Sequence, residues 1–272
     1  DELDKDQASW AGLGWTLESG GYVLRDTKGT TGTADDKFKL IFGGDVHDLV
    51  SIGSGNYRTK DETFLAIKFI SAQDYWTVTT KDGTIHRFGF TANSRATGLT
   101  FGPNVEVAVT FRYFIDEATT TSGVSTRYSY FKQSSSYNKK AYDQAVYPDT
   151  ITYAYYNNSV VGTARTVTFL RAARTDWTNQ SASQHTSYHE LDRLDAIEVK
   201  VGAPVELTAI VKDDGLPKVR LIGAGAAVEN EGSSSTLSSK NPAMLKQVEM
   251  LRLRRLVLPP SRVTVGKNVG LH

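Results

Sequence analysis

The stretch WTVTTKDGTIHRF, Trp76 to Phe88, decides the fold class. Trp76, Val78 and Thr80 alternate with polar neighbours, Asp82-Gly83 supplies the φ > 0 tolerance that a tight turn requires, and Ile85 and Phe88 follow it. Alternation leading into a turn dipeptide, with apolar residues following it, is the mark of an antiparallel hairpin. The same grammar dominates from Tyr22 to Val109, where GYVLRD, FKLIFGG, DLVSIGSG, NYRTKDETFLAIKFI and VEVAVTFRYF each read as a strand or a strand pair. Beyond Asp149 it resumes in DTITYAYYNN, ARTVTFLRAA, RLDAIEVKVG and VELTAIVK.

Between these runs, Ile115 to Ala145 is rich in Ser, Thr, Tyr and Lys and has no helical period; it reads as long polar loops with room for short strands. The tail changes character. Residues 224–240 form a Gly, Ser and Ala linker, and 241–272 hold the one predicted helix. Asn241 is its cap, Pro242 its first residue, and Met244, Leu245, Val248 and Leu251 its apolar face, with Pro259-Pro260 as the stop. The expected architecture is therefore all-β: an antiparallel curved sheet, sandwich or barrel-like shell segment over 1–223, with long polar loops and one C-terminal helix.

The bulk composition excludes several classes. Lys and Arg total 31 against 30 Asp and Glu, a net charge of +1, so the overall field recruits neither nucleic acid nor an anionic membrane. Any charge-driven partner must use a local patch. There is no cysteine, hence no disulfide framework and no thiolate metal site. No apolar run approaches the length of a membrane-spanning helix. The expected partners thus include no nucleic acid and no membrane insertion. IGSGN, Ile52 to Asn56, lacks the nucleophile-elbow spacing, and GAGAA, Gly223 to Ala227, lacks the βαβ setting of a dinucleotide site, so no cofactor is expected.

Several phrases together resemble the rearrangement-hotspot (RHS), or YD-repeat, family and the related insecticidal toxin-complex B components. GLGWTLESGGYVLRD is similar to the family's Gly-Leu-Gly-Trp segment with its Arg-ended strand. YRTKDETFLAIKF, YWTVTTKDGTIHRFG, YPDTITYAYYN and RLDAIEVKVG resemble the segments that follow, in the same order, from Trp10 to Val201. The tandem tyrosine-aspartate repeats are absent, and the tail after Gly223 does not resemble the family. The resemblance implies an upstream, strand-rich, non-catalytic structural module of an exported protein, forming part of a β-shell or surface scaffold. It also implies an extracellular or cell-surface location and, as partners, other segments of a larger shell protein. Sheet edges cut from the repeats would be exposed, which predicts a homodimer or an edge covered by the C-terminal helix. Within the opening segment, Trp10 and Trp15 read as anchors that pin a strand to a sheet, ahead of ligand stacking.

Two other readings use chemistry-bearing side chains. A glycoside hydrolase needs two carboxyls roughly 5–10 Å apart across a cleft. Among the local pairs, Asp45 with Asp48, Asp61 with Glu62, Asp116 with Glu117, and Glu190 with Asp192 or Asp195, the enzyme reading selects Asp176, Glu190 and Asp192, with Trp177 as a stacking platform. His185 and His189, four apart, would share a helical face and are the metal candidates, although their polar, aperiodic surroundings read as solvated loop; His47 and His86 are the internal alternatives. A carbohydrate-binding module would instead stack sugars on Trp177, Tyr153, Tyr155 and Tyr156, against the simpler reading of these tyrosines as half-buried sheet residues. Arg252, Arg254 and Arg255 would form the basic side of the C-terminal helix.

Overall fold

The computed structural model describes residues 9–12, 15–102, 105–175, 190–201, 206–211, 217–223, 226–229 and 252–255. The strands, in chain order, are β1 (Trp15–Glu18), β2 (Tyr22–Asp26), β3 (Lys37–Phe42), β4 (Asp45–Gly53), β5 (Asn56–Thr59), β6 (Ala66–Ile70), β7 (Tyr75–Thr79), β8 (Ile85–Phe88) and β9 (Arg95–Phe101). They continue as β10 (Glu106–Thr119), β11 (Ser125–Tyr137), β12 (Lys140–Tyr156), β13 (Ser159–Ala173), β14 (Asp192–Val201), β15 (Glu206–Val211), β16 (Pro217–Gly223), β17 (Ala226–Glu229) and β18 (Arg252–Arg255). Among the described residues the one helical element is a 3-10 turn at Ala92–Ser94.

All pairings are antiparallel. Strands β2 to β8 pair in sequence, and β10 then bonds β8 along one edge and β2 along the other, which closes an eight-stranded barrel. Full closure removes the exposed edges of those strands. From the barrel wall the sheet continues outward through β11, β12, β13, β14, β15, β16 and β17 in chain order. The all-β class and the barrel-like segment are as the alternation predicts.

Turn chemistry sets the registers. Gly43-Gly44, Ser54-Gly55, Asn138-Lys139 and Asn157-Asn158 all have positive φ at both positions, the two-residue hairpin geometry whose twist matches the strands. The loop in WTVTTKDGTIHRF is one residue longer than the dipeptide suggests. Gly83 N–H donates to the Thr80 carbonyl at 2.9 Å and Thr80 N–H to the Thr84 carbonyl at 3.0 Å, with Gly83 at φ +81°. Thr120 to Val124 repeats the same bonds around Gly123, and the two tips touch: a Cβ on Gly83 would stand 2.5 Å from the Thr121 methyl.

Two cores result. Inside the barrel, fully buried Trp76 meets Tyr57 and Phe69 at 4.8 Å and Phe38 at 4.9 Å between ring centroids, and lies directly opposite Phe88. Under the open sheet, Trp10 packs on Tyr147 at 5.4 Å and Phe169 at 6.2 Å, with Ile151, Val167, Leu194 and Ile197 around them. Trp10 is thus the sheet anchor its sequence suggests. Tyr128 touches both cores.

Two expectations change. Ile115 to Ala145, read as polar loops, is the end of β10, all of β11 and the start of β12. Its polar residues alternate across strands whose inner face is carried by tyrosines such as buried Tyr130 and Tyr142. The predicted C-terminal helix is not what forms at Arg252–Arg255, which is strand β18 against β1, with Arg255 opposite Trp15 and Arg252 opposite Glu18. The alternating Leu-Arg-Leu-Arg run there fits period 2 as well as a helical face. The rest of 241–272 lies outside the described residues. Ala226–Glu229, within the expected linker, pairs with β16.

Close backbone approach gives a direct test. Gly21 has φ +95°, and a Cβ there would lie 2.3 Å from the Ile41 carbonyl oxygen, a backbone atom of the neighbouring strand. Gly43 has φ +63° with open space around it. Gly43→Ala is expected to cost roughly 1 kcal/mol of backbone strain. Gly21→Ala adds a clash that β2 and β3 must separate to relieve, so its fall in melting temperature should be several times larger.

Candidate functional site

The carboxylates chosen from sequence, Glu190 and Asp192, meet at the start of β14. The Ser9 to Gly12 turn is closed by the Gly12 N–H donating to the Ser9 carbonyl at 2.9 Å, and the Trp10 carbonyl accepts from Leu194 N–H at 2.6 Å. This docks the turn on β14. Arg174 N–H donates to the Leu191 carbonyl at 2.9 Å, and its guanidinium reaches the Ser9 carbonyl at 3.4 Å. At the centre, the Tyr147 hydroxyl donates to Gln133 Oε1 at 3.1 Å and accepts from Asp192 N–H at 3.3 Å.

The two acids have different surroundings. Asp192 is held by Arg171 Nη1 at 2.8 Å, and the Arg171 guanidinium lies 3.5 Å from the centroid of the Phe131 ring. Glu190 is raised above its ordinary carboxyl range by burial, partly offset by the Trp10 backbone N–H and by attraction to Arg174 and Arg112. Burial likewise raises Tyr147, and both carboxylates add to the rise. Unequal acids around one hydroxyl are the raw material of acid-base catalysis. Here the contacts join the N-terminal turn, β12, β13 and β14. Asp176, Trp177, His185 and His189 lie outside the described residues, and among the described residues no group of three or more His, Asp or Glu is arranged to hold a metal ion.

The three tyrosines of TYAYY do not share one surface. Tyr153 is 8% exposed and part of the core, whereas Tyr156 is 47% exposed. Between Tyr153 and Tyr155 the register shifts at Ala154, which has φ +64°. Tyr155 lies under Arg127, 4.2 Å from the guanidinium to the ring centroid, and Arg127 also donates to Asn158 Oδ1 and, through Nε, to Glu117 Oε2 at 2.9 Å. Tyr156 covers Gly123 at the neighbouring hairpin tip. The internal histidine His86 sits edge-on to Phe42 at 4.7 Å between centroids, and burial lowers its pKa against the pull of Asp82.

The most completely ligated acids are ones the sequence marks weakly. Buried Asp116 accepts from Arg87 Nε at 2.6 Å, Thr91 N–H at 2.7 Å and Ser94 Oγ at 3.2 Å. Buried Asp143 accepts from Thr97 N–H at 2.8 Å, from Ser134 Oγ at 2.7 Å and from Lys132 Nζ at 2.7 Å. Asp74, at φ +54°, accepts from Tyr113 Oη at 2.8 Å and Thr110 Oγ1 at 2.9 Å. Only the adjacent pair Asp116-Glu117 had a sequence signal. Asp116 and Asp74 draw their partners from distant parts of the chain, and Asp143 adds Thr97 to the Ser134 and Lys132 of its own hairpin, pairings that spacing along the chain does not reveal.

The burial of Glu190 can be tested through linkage. Its folded pKa lies above the unfolded one, so the native state binds the proton more tightly; its contribution to stability is present below the ordinary value of 4.5 and is lost as pH rises through the folded pKa. Glu190→Gln should therefore remove a pH-dependent penalty. Thermal unfolding from pH 4 to 8 is expected to show wild type losing stability relative to the variant as pH rises, and parallel curves would contradict the assignment.

No family model and no curated protein matches the sequence. Solved structures do match the fold. The N-terminal domain of the effector protein SpvB from Salmonella typhimurium strain LT2 superposes with a TM-score of 0.54 at 14% identity, covering 82% of this chain and 90% of that one. TcdB2-TccC3 matches with a TM-score of 0.53 at 13% identity over 83% of this chain, which corresponds to 14% of its own length. A Photorhabdus luminescens Tc holotoxin pore matches with a TM-score of 0.53 at 13% identity, over 78% of this chain and 13% of that one. At these identities the likeness is one of fold, a fold shared with an effector domain and with a segment of toxin-complex components.

Proposed function

We propose that the chain is a non-catalytic structural module of an exported RHS/YD-repeat-like protein, its sheet forming part of a β-shell or surface scaffold. The observation that carries this reading is the continuity of one sheet, closed as a barrel at β2–β8 and β10 and then running open through β11 to β17. An open sheet ends in an edge strand, whose backbone groups are a template on which a further strand can pair. The fold match to a portion of the much longer TcdB2-TccC3 chain supports a module within a larger assembly. The ion pairing of Asp192, Asp116 and Asp143 supports a scaffold role for these acids.

The reading is tested by screening the purified protein on chromogenic glycosides and esters, with and without chelator, beside the Asp192→Asn variant. The expected result is no turnover in any condition and a lowered melting temperature in the variant, because Arg171 loses its charged partner. A charge-assisted hydrogen bond of this kind contributes about 1.5–3 kcal/mol. Turnover by wild type that Asp192→Asn abolishes would replace the module with the hydrolase.

A further inference from the structure

On the outer wall of the barrel, β3 to β6 turn alternate side chains to solvent. Val46, Val50 and Ile52 on β4 are 64%, 51% and 56% exposed, while Leu49 on the same strand is buried in the barrel. Cations stand around this aliphatic row. Lys39 on β3 is opposite Asp48, Arg58 on β5 is opposite Val50, and Lys68 on β6 is opposite Asn56. Lys60 N–H donates to the Asp48 carbonyl at 2.9 Å, and its charge acts on the Asp48 carboxylate. Asp48, within the patch, is ion-paired to Lys39 at 2.8 Å, and the exposed Asp61 and Glu62 follow Lys60 in the loop to β6. Asp26 stands at the margin, engaged by Lys28 at 2.5 Å. On the strands themselves Lys39, Arg58 and Lys68 stand against Asp48, a local excess of positive charge beside exposed β-branched side chains.

We propose that the β3–β6 wall is a docking surface for an acidic protein segment that alternates carboxylates with aliphatic residues. Alternate residues of a strand repeat at about 7 Å, so an extended segment laid on the wall can match the period of Val46, Asp48 and Val50, with Ile52 beyond them at the bulge in β4. Carboxylates beside them then reach Lys39, Arg58 and Lys68, which favours the correct register and a fast, salt-sensitive encounter. A second copy of the chain would bring like charges together on the same patch. Nucleic acid lacks a counterpart for its centre, which is aliphatic and offers no ring on which a base could stack. The wall is separate from the open sheet of β11 to β17, so it stands independently of the module reading.

The probe is a fluorescein-labelled peptide alternating glutamate with valine, titrated with the full chain and followed by anisotropy. A peptide with lysine in place of glutamate is the control. Arg58→Glu combined with Lys68→Glu, and separately Val50→Asp, change exposed positions only, and circular dichroism confirms that each variant is folded. Saturable binding of the acidic peptide is expected, weakened about tenfold or more by either variant and by added salt, with no binding of the lysine peptide. Absent binding, or binding indifferent to the substitutions, overturns the proposal. Binding to phosphatidylserine vesicles but not to the peptide, lost in the same variants, also overturns it and makes the wall a membrane surface. A concentration-dependent dimer broken by Val50→Asp overturns it in favour of self-association.

Discussion

Strand β10 has to serve two neighbours on each of its edges, and the bulge at Asp116 is what lets it do so. Through Tyr113 one edge pairs with β9, and from Ile115 onward the same edge pairs with β8, with the register shifting between Ile115 and Glu117. The other edge pairs β2 at Arg112 to Phe114 and β11 at Glu117 to Thr119. Such a switch leaves backbone and side-chain groups without ladder partners, and buried groups of that kind cost free energy unless satisfied. Tyr130 Oη donates to the Ile115 carbonyl at 2.7 Å, while Asp116 gathers donors from Arg87, Thr91 and Ser94. Glu117, in direct register with both Arg87 and Arg127, joins the strands on either side. Without that point the barrel would lack its closing strand and the open sheet its first one.

The two hydrophobic cores depend on the same junction. Tyr128, one residue from Arg127, packs against both, and burial pushes its hydroxyl up to about 12. Aromatic side chains suit this place because one residue can span from core to core with a large apolar area. Gly20 makes room for it: a Cβ there would come within 3.3 Å of the Tyr128 ring and 2.7 Å of an Ile115 methyl. The glycines of the opening segment thus allow the close approach of β2 to the junction, while Trp10 from the same segment anchors the open sheet. Barrel and sheet share a hinge region made of packed side chains, which argues for one continuous architecture.

Much of this was legible in the chain. The alternation of Trp76, Val78 and Phe88 marks strands that face the barrel interior, and the turn glycines lie where positive φ is needed. Ile115 to Ala145 was less legible for a physical reason. The bulge at Asp116 breaks the alternation, and in β11 and β12 the buried positions are filled by Tyr130, Tyr142 and Tyr147, which hydropathy counts as polar. Their hydroxyls are accommodated by contacts such as Tyr130 to Ile115 and Tyr147 to Gln133. The turn at Asn138-Lys139 lacks the glycine that usually announces a hairpin. At the candidate site, proximity of Glu190 to Asp192 was readable, but Arg171 and Tyr147 are partners brought by other strands.

That Glu190 and Asp192 do meet a tyrosine and two arginines raises the question of what their arrangement is for. A catalytic carboxyl must be reachable by substrate. Glu190 accepts from the backbone of Trp10, whose ring is itself buried on Tyr147 and Phe169. Opening a path from the Trp10 side would expose the indole, at a cost on the order of 4–6 kcal/mol for 150–250 Å² of apolar area. Around it the Trp10 carbonyl receives the Leu194 N–H, Arg174 reaches the Ser9 carbonyl, and Asp192 fixes Arg171 across Phe131. The same bonds hold the Ser9 to Gly12 turn against the open sheet, so that the sheet beyond the barrel is tied to a second segment of the chain as well as to β10.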